Sequence, residues 1–244
     1  MGNNNMRADI YAQLSEFFKE PTEEFADDVA SGRLLRYFKK AFSELEIDVS
    51  VLSGLSVNND VLRYNLTKPH KSPSPSSPPL KGGELIQPSP LAGEGALLVN
   101  SLVYASLKDE YRRLFLGPMP PYIVPVESVY KKWTNDPGCK LSMSGEKGYL
   151  MGDPAMDMIN RYRASEIVIP DKYSSMPDHL SLELEYMSFL CSNASKREQQ
   201  EFLLKHLDWI DSLLEDCKNH RKGFYSTAIK ITAFLTSHFL TVRA

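Results

Sequence analysis

The chain lacks most of the features that announce an enzyme or a nucleic-acid-binding protein. Among 244 residues there are only three cysteines, Cys139, Cys191 and Cys217, and none stands in a C-x-x-C pair. An odd, unpaired set argues against a disulfide framework and for a reducing compartment. No Gly-rich phosphate loop and no G-x-S-x-G elbow occurs, which lowers the expectation of familiar nucleotide or acyl-transfer chemistry. Basic charge is not in excess: 28 Lys and Arg against 31 Asp and Glu leave a formal charge of -3. No field therefore exists to hold a phosphate backbone, and no nucleic acid partner is expected. No apolar run reaches the roughly 18 residues that a membrane span requires. The opening MGNNNMRAD has no apolar stretch like that of a secretion signal, and Met6 stands where a myristoylation site wants Ser or Thr. The expectation is a cytoplasmic protein without stable membrane insertion. With 42% hydrophobic residues, a chain of this length can bury a core without disulfide or metal staples.

What is present is helical periodicity, interrupted by proline. Ile10, Tyr11, Leu14, Phe17 and Phe18 recur at helical spacing before Pro21. Thr22 is placed to cap a short helix ending near Gly32, and Leu34, Leu35, Phe38, Phe42 and Leu45 mark a third. Seven of the 16 prolines fall between Pro69 and Pro90, and residues 67–96 read as a disordered Pro/Ser/Gly-rich insertion. Leu98, Leu102, Ala105, Tyr111, Leu114 and Phe115 fit a long helix closed by Gly117-Pro118. Residues 118–135 read as a rigid linker, because Pro120, Pro121 and Pro125, following Pro118, deny the segment sheet hydrogen bonds. Asp153-Pro154 resembles an N-cap followed by proline at N1, and Asp178 is placed to cap a helix through Leu190. Ser195-Lys-Arg-Glu198 has capping-box spacing. The predicted fold is all-α: a compact multi-helix protein of two halves, 1–117 and 136–244, joined by the Pro-rich linker. Such a linker would permit a monomer or a domain-swapped dimer.

The densest polar cluster is Met176-Pro-Asp-His-Leu-Ser-Leu-Glu-Leu-Glu-Tyr186. His179 and Glu183 stand at i, i+4 and so share a helical face. Read as a metal site, the pair supplies two ligands of a metal-dependent hydrolase with no third identifiable nearby. Asp178 followed by His179 also invites a His-Asp phosphohydrolase reading, but the order is reversed and no companion pair exists. Read structurally, Asp178 caps its helix and His179 bonds locally; a peptide-binding site is the fourth reading. Cys217 and His220 at i, i+3 lack partners and are expected to be incidental. His206 lies near Trp209 on one helix and is expected to pack at its surface.

Two motifs in order, Tyr111-Arg-Arg-Leu-Phe-Leu-Gly-Pro118 with Glu127-Ser-Val-Tyr130, and Pro177-Asp-His-Leu-Ser-Leu-Glu-Leu-Glu-Tyr-Met187, resemble those of the TorD/DmsD/NarJ family of redox enzyme maturation chaperones. The 67–96 insertion departs from that pattern. The resemblance implies a cytoplasmic, non-enzymatic protein without a cofactor of its own. Its partner would be the apo-form of a molybdopterin oxidoreductase catalytic subunit of the dimethyl sulfoxide reductase class. The chaperone would hold that client through its twin-arginine signal peptide, aid cofactor insertion and prevent premature export. A NarJ-type factor for nitrate reductase is the alternative within the family.

Such a peptide is cationic and then apolar, so it asks for an apolar groove beside acids. The residues assigned to peptide or apoprotein binding are Tyr111, Leu114, Phe115, Pro118, Glu127, Ser128, Tyr130, Asp178, His179 and Glu183. Most affinity must come from apolar burial, because an exposed arginine–carboxylate pair contributes only about 0–1 kcal/mol.

Overall fold

The computed structural model describes residues 2–55, 92–117, 123–220 and 223–241, and the described residues form ten α-helices and no strand. Helix α1 (Gly2–Glu16) buries Ile10, Tyr11 and Leu14, and Phe17 and Phe18 continue its apolar side past the last turn. Pro21 stops it. The Thr22 hydroxyl then accepts from Phe25 N at 3.1 Å and starts α2 (Glu23–Ala30). Helix α3 (Arg33–Glu44) ends in a C-cap turn where Glu46 takes a left-handed φ of 56° and Ile47 N donates to Phe42 O at 2.8 Å. A 3-10 turn, Val49–Gly54, follows.

Helix α4 (Ala92–Tyr111) passes directly into a π-turn at Arg112–Leu116. The segment assigned to a disordered insertion is therefore already helical from Ala92; residues 67–91 lie outside the described residues. The extra residue per turn in a π-helix swings Leu114 and Phe115 inward, where both are buried. Pro118, Pro120 and Pro121 also lie outside the described residues. From Ile123 the chain is anchored: its N donates to Leu114 O at 2.8 Å, and Ile123 and Val126 are buried.

The remaining helices are α5 (Glu127–Tyr130), α6 (Asp153–Ala164), α7 (Leu180–Asn193), α8 (Lys196–His206), α9 (Ile210–Cys217) and α10 (Phe224–Thr241). Helix α8 opens with the expected capping box: Glu198 N donates to Ser195 Oγ at 3.3 Å, and Ser195 N to Glu198 Oε2 at 2.9 Å. Asp153 is the first residue of α6 rather than its cap. Its carboxylate instead accepts from Thr134 Oγ1 and Asn135 N, both at 2.9 Å, and ties down the preceding loop.

One hydrophobic core draws on both halves of the sequence. Helix α1 packs chiefly on α7, and α10 runs between α4, α9 and the 3-10 turn at Val49–Gly54. Helix α10 is buried on nearly every side, so its polar groups must be satisfied internally. Thr232 and Thr236 accordingly donate to the carbonyls of Ala228 and Thr232, at 2.9 and 2.8 Å. Its N-terminus is capped from α4: the Glu110 carboxylate accepts from Phe224 N at 3.1 Å and Tyr225 N at 2.9 Å. A Cβ on Gly223 would lie 2.3 Å from that carboxylate, so only glycine lets the cap approach. No described helix is long and apolar enough to cross a membrane.

Candidate functional site

The two polar motifs meet. Backbone residues 125–127 pair with 178–180 in a short antiparallel bridge: Glu127 N donates to Asp178 O at 3.0 Å and Leu180 N to Pro125 O at 2.8 Å. Across this bridge the Asp178 carboxylate accepts from Ser128 N at 2.7 Å and from the Ser128 hydroxyl. Asp178 thus caps α5, fifty residues earlier in the chain, and not its own helix. That corrects the expectation from sequence. Helix α7 is capped by His179, whose Nδ1 accepts from Ser181 N at 3.2 Å while the ring lies on Tyr173 with centroids 4.9 Å apart. The bridge holds Asp178 away from its own helix start and leaves the cap position to His179.

Behind this bridge lies a sealed polar network. Glu127, Ser128, Asp178, Glu183 and His206 are all buried. His206 Nδ1 stands 2.8 Å from Glu127 Oε2 and Nε2 stands 2.6 Å from Asp157 Oδ2, so both ring nitrogens face carboxylates. Lys131 Nζ reaches Glu127 Oε1 at 2.8 Å and Asp208 at 2.6 Å. Trp209 Nε1 donates to Glu183 Oε2 at 3.1 Å. Burial drives the Glu127 carboxyl upward, but hydrogen bonding to His206 and the charges of His206 and Lys131 outweigh it and leave it below the usual range. Glu183 goes the other way: full burial, then the neighbouring Glu127 carboxylate, push it well above the usual range. Two like carboxyls in one dry site are thereby driven apart. Asp178 is raised by burial against the pull of Ser128. Asp157 sits at about 2, because Arg161, Lys205 and His206 overcome its partial burial. His179 is pushed down to about 3 by burial and by the charge of Lys172.

His179 and Glu183 do not form a joint site. The His179 ring turns to Ser181 and Tyr173, whereas Glu183 turns to Trp209 and the Glu127–His206 pair. Glu185 is exposed and pairs with Lys19 at 2.5 Å. Tyr111, Leu114 and Phe115 are buried. The Tyr111 hydroxyl donates to Phe18 O at 3.3 Å, and the Tyr111 and Phe115 rings meet Tyr225 edge-on at 5.5 Å each. Tyr130 is half-buried and stacks on Trp209 at 5.1 Å. Pro118 lies outside the described residues. His206, expected at a surface, is 1% exposed. Phe202, His206, Trp209 and Leu213 recur at helical spacing in the sequence and are all buried, so periodicity could have placed this histidine inside. The structure nevertheless breaks that run after His206 and leaves Trp209 at the start of the next helix rather than on the same one. Asp157 carries no comparable signal.

The outer side of this region carries a short run of exposed apolar side chains in an otherwise polar loop. The loop from Lys131 to Gly152 folds over α5 through Gly148 N to Val129 O at 3.0 Å, Trp133 N to Glu146 O at 2.9 Å, and Asp153 N to Trp133 O at 2.7 Å. Its last turn exposes Tyr149, Leu150 and Met151 in succession, and Met156 is exposed one turn into α6.

A sequence profile described as nitrate reductase delta subunit matches residues 96–218, just over half of the chain. The chain is also 23% identical over 232 residues to "Chaperone protein TorD" of Shewanella pealeana (strain ATCC 700345 / ANG-SQ1), a match that covers 94% of this chain and 86% of that protein.

Proposed function

The chain belongs to the nitrate reductase delta subunit family, the TorD/NarJ-type chaperones of molybdoenzyme maturation, which are not enzymes; from that premise we propose that it holds an apo-molybdoenzyme of the dimethyl sulfoxide reductase class by its twin-arginine signal peptide. It does so in the cytoplasm until the cofactor is inserted, and it withholds the client from export meanwhile. One observation supports this reading above the others: the chemistry-bearing side chains are turned inward and large apolar ones outward. Glu127, Ser128, Asp178, His179 and Glu183 are sealed in the fold, whereas Tyr149, Leu150 and Met151 of the loop that folds over α5, and Met156 at the start of α6, stand in solvent. Groups of exposed apolar side chains mark interaction surfaces.

In this reading the motif residues build the platform and the covering loop makes the contact. Leu114 anchors the chain that leads into α5 through its carbonyl to Ile123 N, Tyr111 and Phe115 pack in the core, Tyr130 stacks on Trp209, and the Asp178–Ser128 cap fixes the path of α5. Asp157 and Asp208, both partly exposed and already paired with Lys and Arg side chains, are placed to exchange those partners for the arginines of an incoming peptide. The hydrolase alternative needed His179 and Glu183 at one centre, and neither their geometry nor the family supports it.

The test is titration of the full chain with synthetic twin-arginine signal peptides from reductases of this class. A variant carrying Leu150→Ser and Met156→Ser is expected to keep its melting temperature and to bind at least about tenfold more weakly, about 1.4 kcal/mol. Replacing both peptide arginines by lysine should weaken binding as well. Affinity unchanged by either alteration would refute the signal-peptide reading. A nitrate reductase segment bound more tightly than any of these peptides would move the client to the NarJ branch.

A further inference from the structure

We propose that Glu127, Glu183 and His206 form a binding site for a divalent transition-metal ion, best suited to Zn2+, that ties helices α5, α7 and α8 together. The three residues come from three different helices, and one ligand atom from each lies within 4.8 Å of the other two. All are at most 1% exposed. One imidazole nitrogen with two carboxylates is a donor set that zinc accepts readily, and three protein ligands leave a fourth position open.

Two further features point to a cation. The first is the outer partner of the histidine. Ligating histidines donate their second ring nitrogen to a carboxylate or carbonyl that fixes the tautomer. Here Nε2 meets Asp157 at 2.6 Å, which leaves Nδ1 facing into the cluster. The second is an orphan. Glu183 is fully buried and no N–H or hydroxyl donor reaches its Oε1. Its remaining polar neighbour is the Glu127 carboxyl, with which it must share a proton or a cation, while Trp209 engages and orients Oε2 at 3.1 Å. A buried carboxylate oxygen without a donor is costly, and a bound cation removes that cost. Lys131 serves only the opposite side of the cluster, at Glu127 Oε1. The Asp157 and Lys131 side chains, 31% and 25% exposed, are partners of the cluster that reach solvent.

The proposal is independent of which client the chain serves. It competes with an arrangement in which the same three groups simply share protons, and the experiment separates the two. The full chain is stripped with chelator and titrated with Zn2+ by calorimetry, and with Co2+ by visible absorption. One ion per chain is expected, with Kd on the order of 1 µM or tighter. Saturation at about a hundredfold over Kd should raise Tm by roughly 5–10 °C. Glu183→Gln keeps the side-chain shape but cannot give up a proton to become an anionic ligand. Without metal it should retain the wild-type circular dichroism, and its zinc affinity should fall at least tenfold. His206→Gln should behave likewise; if it fails to fold, Glu183→Gln still decides. No saturable binding in the micromolar range, or equal affinity in Glu183→Gln, would overturn the proposal and leave the cluster held by protons.

Discussion

The contact between Asp178 and Ser128 separates two roles for the P-D-H-L motif, one architectural and one in direct ligand contact. Asp178 is fully buried and accepts from Ser128 N at 2.7 Å and from the Ser128 hydroxyl. Asp178→Ala removes both bonds. Each is a hydrogen bond of roughly 1–1.5 kcal/mol net, and the Ser128 N–H, without another partner, adds about 1–3 kcal/mol of unmet desolvation. Some of this is returned, because Asp178 Oδ1 is itself buried without a partner, and its removal relieves about 1–2 kcal/mol. The net loss is about 2–4 kcal/mol, a large share of the roughly 5–15 kcal/mol that a domain holds in total. Asp178→Asn keeps an acceptor of the same shape and should cost only about 1 kcal/mol.

The assay is urea unfolding followed by tryptophan fluorescence. The only two tryptophans, Trp133 and Trp209, both adjoin the region: Trp133 O accepts from Asp153 N, and Trp209 stacks on Tyr130. At an m-value of about 2–3 kcal/mol/M, the alanine variant should unfold at a urea concentration lower by roughly 1 M. A cycle with Ser128→Ala should show a coupling of about 1–2 kcal/mol. If Asp178→Ala unfolds at the wild-type midpoint yet no longer binds a client peptide, the carboxylate serves the ligand and the architectural reasoning fails.

Two more predictions rest on single residues. Glu46 and Glu166 hold left-handed φ values of 56° and 57° in the turns that close α3 and α6. Glu46→Gly and Glu166→Gly should therefore each stabilise by about 0.5–1 kcal/mol, read as a rise in the unfolding midpoint, and a fall would refute the strain argument. His179 stays neutral in the fold down to about pH 3, through burial and Lys172, whereas in the unfolded chain it takes up a proton below about pH 6.5. Its contribution is whole above that pH and is lost as pH falls toward 3, at up to about 1.4 kcal/mol per pH unit. His179→Asn, which keeps an acceptor for the α7 cap, should show a shallower loss of stability than wild type between pH 6 and 4; parallel curves would contradict this.

Much of the helical framework was legible one residue at a time. Thr22 and the Ser195–Glu198 box are local signals, because an N-cap needs only a side chain and an amide three residues on. The apolar stripes of α1 and α3 are likewise written in the spacing of Ile10, Tyr11, Leu14 and of Leu34, Phe38, Phe42. The order of the motifs pointed to the family, and with it to a helical chaperone. None of this could say where Asp178 points. Its role depends on a backbone bridge to residues fifty positions away, and such a bridge forms only when the core brings α5 against the start of α7. The same holds for Glu127, Glu183, His206 and Asp157, four ionisable side chains from four helices. Nothing in the linear pattern shows that these four meet, and only burial in one dry place couples their charges. The motif acids Glu127, Asp178 and Glu183 are expected from the sequence at a peptide groove; the packing turns them inward and leaves Tyr149, Leu150 and Met151 in solvent.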